Sequence, residues 1–244
     1  MTYCVGLLLD AGVVLLSDTR TNAGLDNIAT YRKMFLFEQP GDRAIGIMTA
    51  GSLSITQTVM ARLADANEEP DNDRSILRAP TMLQVAELVG ATLSDVTSDV
   101  KSKMERMSQN ATASMIVAGQ RKGGPMRMFL IYPEGNFIEA SDDNPFFQIG
   151  ETKYGKPILV RAYDRTASFE KAIKLLLVSF DSTIKSNLSV GLPIDYVTYS
   201  GETLRFGEQG RILDSDPYYQ EVSNGWSEAL KSAFAQLPDF TFPA

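Results

Sequence analysis

Residues 2–18, TYCVGLLLDAGVVLLSD, decide the fold of this 244-residue chain. Two apolar runs, 5–9 and 13–16, flank Asp10-Ala11-Gly12, and this pattern predicts a tight hairpin with glycine at the position of unusual dihedral angles. The runs are almost continuously apolar and do not alternate with polar residues. They therefore predict a pair of strands that are covered on both faces.

The apolar patterns beyond the hairpin predict further strands and helices. Strands are predicted at 34–37, 44–48, 114–119, 126–132, 137–140, 146–149, 196–199 and 203–206. Apolar residues at spacings of three and four predict helices around 55–63, over 82–107, from 168 to 184 and over 223–237. Because the strands are covered on both faces, two stacked sheets between outer layers of helices are indicated. No linker or compositional break divides the chain, which predicts one domain over residues 1–244.

The composition argues against several classes of protein. The formal net charge is −7, whereas binding to nucleic acid needs clustered lysine and arginine. Cys4 is the one cysteine and there is no histidine, so we expect no disulfide, no metal site and a reducing, cytoplasmic environment. No apolar run approaches the roughly 20 residues that span a bilayer. We expect no cofactor, no nucleic-acid partner and no membrane partner.

Residue 2 is the candidate nucleophile. Histidine, the usual base that activates a hydroxyl, is absent from the chain. Removal of Met1 would leave Thr2 with its hydroxyl and a free α-amine, which titrates at about 7.7 to 8.0 and suits a base near neutral pH. Threonine with its own α-amine is an established pair of nucleophile and base. Many ordinary proteins carry a small residue at position 2. Met1-Thr2 alone therefore leaves open the alternative that Thr2 has no catalytic role.

Polar residues at the ends of the first strands predict a site around Thr2. Asp18 closes the second apolar run, and Lys33 stands directly before the third. A lysine beside Thr2 would lower the pKa of a neighbouring hydroxyl or amine, and Asp18 would hold that lysine in place. Backbone N–H groups at 49–52 would form an oxyanion site, where Gly51 allows close approach of a substrate. The alternative for Asp18 and Lys33 is an ordinary surface ion pair.

Several strings in the chain resemble a known family. The chain resembles the proteasome β-subunit pattern of N-terminal nucleophile hydrolases at four places, which are Thr2, Ser17-Asp18-Thr19-Arg20, Arg32-Lys33-Met34-Phe35 and Thr49-Ala50-Gly51-Ser52. Longer runs at 17–24, 148–157 and 186–193 resemble the Anbu (ancestral β-subunit) family of bacterial proteasome homologues. The resemblance covers about residues 2–200. It implies an α+β, four-layer αββα sandwich, with a C-terminal extension of the single domain from about residue 207.

The resemblance also implies a function. By motif match, Thr2 is the nucleophile of a proteasome-like threonine hydrolase that cleaves a peptide or isopeptide bond, and its freed α-amine accepts the proton through water. Asp18 and Lys33 orient and activate Thr2, and the Gly51 N–H serves the oxyanion. A homo-oligomer is implied, as a ring, an open ring or a spiral, built partly through the helix at 82–107. No GxxxxGK[ST] loop is present, so any ATP-dependent or ligase partner would be a separate protein.

Two positions depart from the proteasome pattern. Proteasome subunits carry a serine where Glu151 follows Gly150, and an aspartate where our alignment puts Ser186, while Ser189 matches a second serine. We include Ser186 and Ser189 among the site residues and interpret Glu151 as a solvated surface residue in preference to a catalytic one. This incomplete support, together with a retained Met1 that would block the amine, keeps one alternative open. In that alternative the chain is a catalytically drifted, non-hydrolytic, proteasome-like scaffold or shell.

Overall fold

The computed structural model describes residues 1–22, 28–104 and 111–243. The predicted N-terminal hairpin is present, and the helix predicted over 82–107 is described as far as Met104, so that Met107 lies outside the described residues. The elements in chain order are β1 Tyr3–Leu9, β2 Gly12–Asp18, β3 Arg20–Asn22, β4 Ile28–Thr30, β5 Met34–Gln39, β6 Arg43–Gly51, α1 Leu53–Glu68, α2 Met82–Met104, β7 Ala113–Arg121, β8 Arg127–Ile131, β9 Phe137–Glu139, β10 Phe146–Gly150, α3 Lys156–Ala162, α4 Phe169–Ser186, β11 Ile194–Ser200, β12 Phe206–Ile212 and α5 Pro217–Ala235.

Two five-stranded antiparallel sheets form the centre of the molecule. The first sheet has the strand order β10-β1-β2-β11-β12, and the second has the order β5-β6-β7-β8-β9. β3 and β4 form a separate two-stranded ribbon. β1 lies inside the first sheet, where it pairs with β10 on one side and β2 on the other. This position brings the start of the chain between the end of β2 and the end of β10.

Three clusters of buried side chains separate four layers. Between the sheets, Cys4 and Leu15 of the first sheet pack with Met48 and Ile116 of the second. Helices α1 and α2 cover the outer face of the second sheet, and α3, α4 and α5 cover the outer face of the first. The predicted α+β, four-layer αββα fold is therefore confirmed. β1 and residues 12–16 of β2 are almost entirely apolar because one face meets the other sheet and the opposite face meets α4.

Several elements differ from the sequence prediction. The strands β3 and β4 were not predicted, because three residues are too few to show an apolar pattern. The last strand, predicted at 203–206, runs over Phe206–Ile212, because the chain first turns at Leu204, which has a φ of +49°. Helix α3 was not predicted, since seven residues are too few to show a clear apolar period. Helix α5 begins at Pro217, six residues before the predicted start, because Asp216 caps it by accepting the N–H groups at the next two non-proline positions.

The C-terminal elements pack on the first sheet. β12 pairs with β11, and Tyr219 of α5 belongs to the buried cluster that α4 forms with that sheet. The buried Asp181 of α4 contacts Lys185 Nζ at 3.0 Å, and that lysine also donates to the hydroxyls of Ser223 and Ser227 on α5. These bonds fasten α5 to α4. Within the described ranges, no helix has the length and apolar character needed to cross a membrane.

Candidate active site

Thr2 lies directly before β1 and is 8% exposed. Its carbonyl accepts the N–H of Glu151 at 2.6 Å, and the next residue, Tyr3, pairs with Gly150 of β10. Gly150 has a φ of +83°, and a Cβ built there would lie 2.0 Å from the Thr2 carbonyl oxygen. Only glycine fits this backbone conformation and this close approach. The loop after β10 therefore holds the backbone of residue 2 in place.

A buried ion pair lies beside the start of β1. Lys33 Nζ is 2.7 Å from Asp18 Oδ1, and these residues are 4% and 0% exposed. Lys33 also donates to the Arg20 carbonyl at 2.6 Å, and the N–H of Tyr3 donates to Asp18 Oδ1 at 2.9 Å. The alternative of an ordinary surface pair is therefore wrong. The pair joins the end of β2, the chain before β5 and the start of β1.

The electrostatic effect of the pair reaches the N-terminus. Burial raises the pKa of the Asp18 carboxyl, while Lys33 and the N–H groups of Tyr3 and Gly191 act in the opposite direction. The pKa of the Met1 α-amine is lowered below 8.0, first by burial and then by the positive charge of Lys33. Asp18 partly opposes that shift. The α-amine of Met1 is therefore held toward its neutral form, the form that can accept a proton.

Gly51 ends β6 and is exposed. Its φ is +111°, and a Cβ there would lie 2.2 Å from the Thr112 carbonyl oxygen. The following residue, Ser52, donates its N–H to that same carbonyl at 2.9 Å. The turn between β6 and α1 therefore depends on glycine, and it is open to solvent where a substrate could approach.

Glu151 is buried, so its interpretation as a solvated surface residue is wrong. It is 5% exposed, and its two carboxylate oxygens accept from the Lys153 N–H at 2.9 Å and from Asn187 Nδ2 at 3.0 Å. Asn187 Oδ1 in turn accepts the N–H of Ser189 at 3.0 Å. The loop after β10 is thus bound to the turn after α4. The one signal of this contact in the sequence is an asparagine directly after a predicted helix. That signal indicates the end of a helix and does not identify Glu151 as a partner.

The two candidate serines occupy different positions in that turn. Ser186 is the last residue of α4; it is exposed, and its hydroxyl donates to the Ser182 carbonyl at 2.8 Å. Ser189 is half-buried and lies in the turn that Asn187 organises. The structure therefore brings Asp18, Lys33 and the Glu151 loop to Thr2, while the Ser186 hydroxyl is bound by the backbone of its own helix.

Comparison with known proteins identifies the family of this chain. The model of the proteasome subunit family matches residues 2–197. Anbu (ancestral beta-subunit) from Yersinia bercovieri is 40% identical, with a TM-score of 0.92 over 99% of this chain and 100% of that chain. The chain belongs to the Anbu family of proteasome subunits. A structure of the helical assembly of the Anbu complex from Pseudomonas aeruginosa is 41% identical, with a TM-score of 0.92 over 98% of both chains.

A third Anbu structure extends the comparison. It is a Gly-1 mutant of Anbu from Hyphomicrobium sp. strain MC1, 44% identical, with a TM-score of 0.91 over 99% of this chain and 100% of that chain. The search of curated proteins found no match. All of the predicted site residues lie inside the 2–197 match, whereas β12 and α5 of this Anbu chain lie beyond it. Among the residues that the structure describes, no group of three or more His, Cys, Asp or Glu side chains could hold a metal ion.

Proposed function

We propose that this Anbu protein is a threonine hydrolase that cleaves a peptide or isopeptide bond, with Thr2 as the nucleophile once Met1 has been removed. The observation that carries the proposal is the buried pair of Lys33 and Asp18 beside the start of β1. A buried ion pair is costly to desolvate, and such pairs are frequent where the pKa of a reacting group is adjusted. Burial and then the positive charge of Lys33 lower the pKa of the α-amine of Met1, the residue before Thr2.

The reaction follows from the groups at the N-terminus. The Thr2 hydroxyl attacks the carbonyl carbon of the scissile amide, and its proton passes to the Thr2 α-amine through a water molecule. The oxyanion of the tetrahedral intermediate accepts the Gly51 N–H. When the C–N bond breaks, the α-ammonium returns the proton to the departing nitrogen and leaves an ester on Thr2. Water then hydrolyses the ester, which releases the acid and restores the hydroxyl.

Lys33 and Asp18 support this chemistry in different ways. Lys33 keeps the α-amine toward its neutral, proton-accepting form and stabilises negative charge that develops on the Thr2 oxygen. Asp18 fixes Lys33 and, through the Tyr3 N–H, fixes the backbone next to the nucleophile. Correct orientation of the reacting groups contributes to the rate because it removes the entropic cost of bringing them together.

The proposal includes self-assembly. A relative from Pseudomonas aeruginosa forms a helical assembly, and this chain exposes aromatic side chains after α5, with Phe240 and Phe242 77% and 84% exposed. Exposed apolar segments of this kind are typical of contacts between subunits. A homo-oligomer, as a ring, an open ring or a spiral in the cytoplasm, would present Thr2 to its substrate. An ATP-dependent or ligase partner would be a separate protein.

A non-hydrolytic scaffold or shell is the second candidate function. The observation that favours it is the hydroxyl of Ser186, which is bound by the α4 backbone and so is not offered to Thr2. In this second case the fold and the assembly remain, while the site around Thr2 no longer performs hydrolysis.

Substitution of Thr2 separates the two candidates. Processed wild-type protein, Thr2→Ala and Thr2→Ser would be incubated with a β-lactone, which acylates a nucleophilic hydroxyl, and with a library of peptides and isopeptides. The hydrolase predicts an adduct on residue 2 in the wild type and in Thr2→Ser, and neither adduct nor cleavage in Thr2→Ala. Equal behaviour of all three proteins, with assembly intact, would favour the scaffold.

A further inference from the structure

We infer that Glu151 is a positioning residue for Thr2, because its carboxylate holds the Asn187–Ser189 turn against the loop after β10, whose Glu151 N–H binds the Thr2 carbonyl. The inference rests on the proposed function, in which Thr2 reacts. It assigns to the pair of Glu151 and Asn187 the supporting role that the aligned Ser186 does not fill in this structure.

The burial of Glu151 requires an explanation. A carboxylate that is 5% exposed loses most of its hydration, which is a cost of several kcal/mol unless other groups replace the water. Among the described residues, no lysine or arginine forms an ion pair with it; the replacement comes from the Lys153 N–H and the Asn187 side chain. Two N–H donors compensate a carboxylate only in part. The Glu151 side chain therefore stabilises the fold less than a well-packed apolar side chain would at this position.

The bonds of Glu151 connect the candidate nucleophile to the turn after α4. The Glu151 N–H holds the Thr2 carbonyl at 2.6 Å, and its carboxylate holds Asn187 at 3.0 Å. Asn187 uses its other side-chain atom, Oδ1, to accept the N–H of Ser189. A continuous path of three hydrogen bonds thus joins Thr2 to Ser189. Loosening any of these bonds would release the turn and widen the range of orientations open to Thr2.

An exchange of the two side-chain groups tests the path. In Glu151→Gln, the glutamine amide must place its NH2 opposite either the Asn187 NH2 or the Lys153 N–H, so two donors face each other. In Asn187→Asp, two carboxylates face each other. The double variant Glu151→Gln/Asn187→Asp restores the hydrogen bond in the reverse direction, from a donor at 151 to an acceptor at 187. The side chain at 187 can still accept the Ser189 N–H. Glu139→Gln is the matched control, because Glu139 pairs with Arg127 on the edge of the second sheet.

The first measurement is hydrogen exchange of peptides that cover 149–153 and 186–191. We expect faster exchange in both segments for each single variant, wild-type exchange for the double variant, and no change for Glu139→Gln. Unchanged exchange in both single variants would overturn the inference. Additive increases in exchange rate in the double variant would also overturn it. They would show that the side chains at 151 and 187 do not bond specifically to each other.

The second measurement is the rate at which a β-lactone acylates Thr2 in the processed protein. Loss of a buried hydrogen bond predicts a fall in the saturating rate of about tenfold for each single variant, with a smaller change in the half-saturating concentration. The double variant should recover to within about threefold of the wild type. A normal saturating rate in both single variants would overturn the positioning role. If the wild type itself does not react, the proposed function fails, and the exchange measurement still decides whether Glu151 organises the turn.

Discussion

Lys33 Nζ lies 2.7 Å from Asp18 Oδ1, and that same carboxylate oxygen accepts the backbone N–H of Tyr3. One oxygen atom therefore joins the lysine to the residue that follows Thr2. Both side chains are almost completely buried. If one partner is removed, water therefore cannot solvate the charge that remains. The position of the N-terminal residue and the protonation of its amine depend on this pair.

Replacement of Lys33 by methionine tests the pair. Lys33→Met leaves Asp18 buried without its cation, which we expect to lower the free energy of unfolding by about 3 kcal/mol and to abolish acylation of Thr2. The double variant Asp18→Asn/Lys33→Met removes both charges and should regain most of the stability without regaining reactivity. Urea denaturation and labelling with a β-lactone measure the two effects. A Lys33→Met protein that labels at the wild-type rate would remove Lys33 from the mechanism.

Replacement of Gly150 by alanine tests the packing of the N-terminus. Gly41→Ala is the matched control, since Gly41 also has a positive φ, +76°, but a Cβ there meets nothing within 4 Å. We expect Gly41→Ala to lower the free energy of unfolding by about 1 kcal/mol, from backbone strain alone. Gly150→Ala adds a collision with the Thr2 carbonyl and should cost about 1 to 3 kcal/mol more. Equal losses in the two variants would show that the Thr2–Gly150 contact is loose.

The α-amine of unprocessed protein, which still begins at Met1, should titrate below its ordinary pKa of 8.0 because of burial and Lys33. Between the lowered pKa and 8.0 the unfolded chain binds more protons at this amine than the folded chain does. The amine therefore makes the free energy of unfolding rise with pH across that window. The titration itself is measured from the pH dependence of acylation of the α-amine by a small anhydride.

Lys33→Met should raise the pKa of that amine, because the substitution removes a positive charge. Lys122→Met is the control, since Lys122 is exposed in the turn between β7 and β8. A pKa at or above 8.0 in the wild type, or the same pKa in Lys33→Met, would contradict the role of Lys33 in holding the amine toward its neutral form.

Removal of residues 236–244 tests the role of the tail in assembly. Its apolar side chains include Leu237, Phe240 and Phe242, and all three are exposed. We expect the truncated chain to keep its midpoint of urea unfolding, measured where it is monomeric, and to form smaller assemblies in sedimentation velocity. Assemblies of unchanged size would show that the tail does not contact a neighbouring subunit.

The core of the fold could be predicted from the sequence because its signals are local. The apolar runs at 5–9 and 13–16 have no polar face, and a strand of that kind must be covered on both sides. The apolar stripe from Met82 onward repeats over many turns, which indicates a helix without reference to the rest of the chain. Short or polar elements carry less information. α3 has seven residues, and most of β12 is exposed.

The surroundings of Thr2 were less predictable because they depend on contacts between distant residues. Asp18 and Lys33 stand at the ends of apolar runs, and that placement predicted a shared site. Burial of Glu151 depends on Asn187, which lies 36 positions further along the chain. Nothing within the local sequence of Glu151 distinguishes a solvated carboxylate from one that is covered by another loop. The same limitation applies to Ser186, whose hydroxyl is engaged by the carbonyl four residues earlier in its own helix.

The most direct measurement is the intact mass and N-terminal sequence of protein purified from its native host, before and after incubation with a β-lactone. We predict a chain that begins at Thr2 and gains one probe, with the adduct mapped to the Thr2 hydroxyl and absent from Thr2→Ala. A chain that retains Met1, or an adduct that forms equally in Thr2→Ala, would contradict the assignment of Thr2 as the nucleophile.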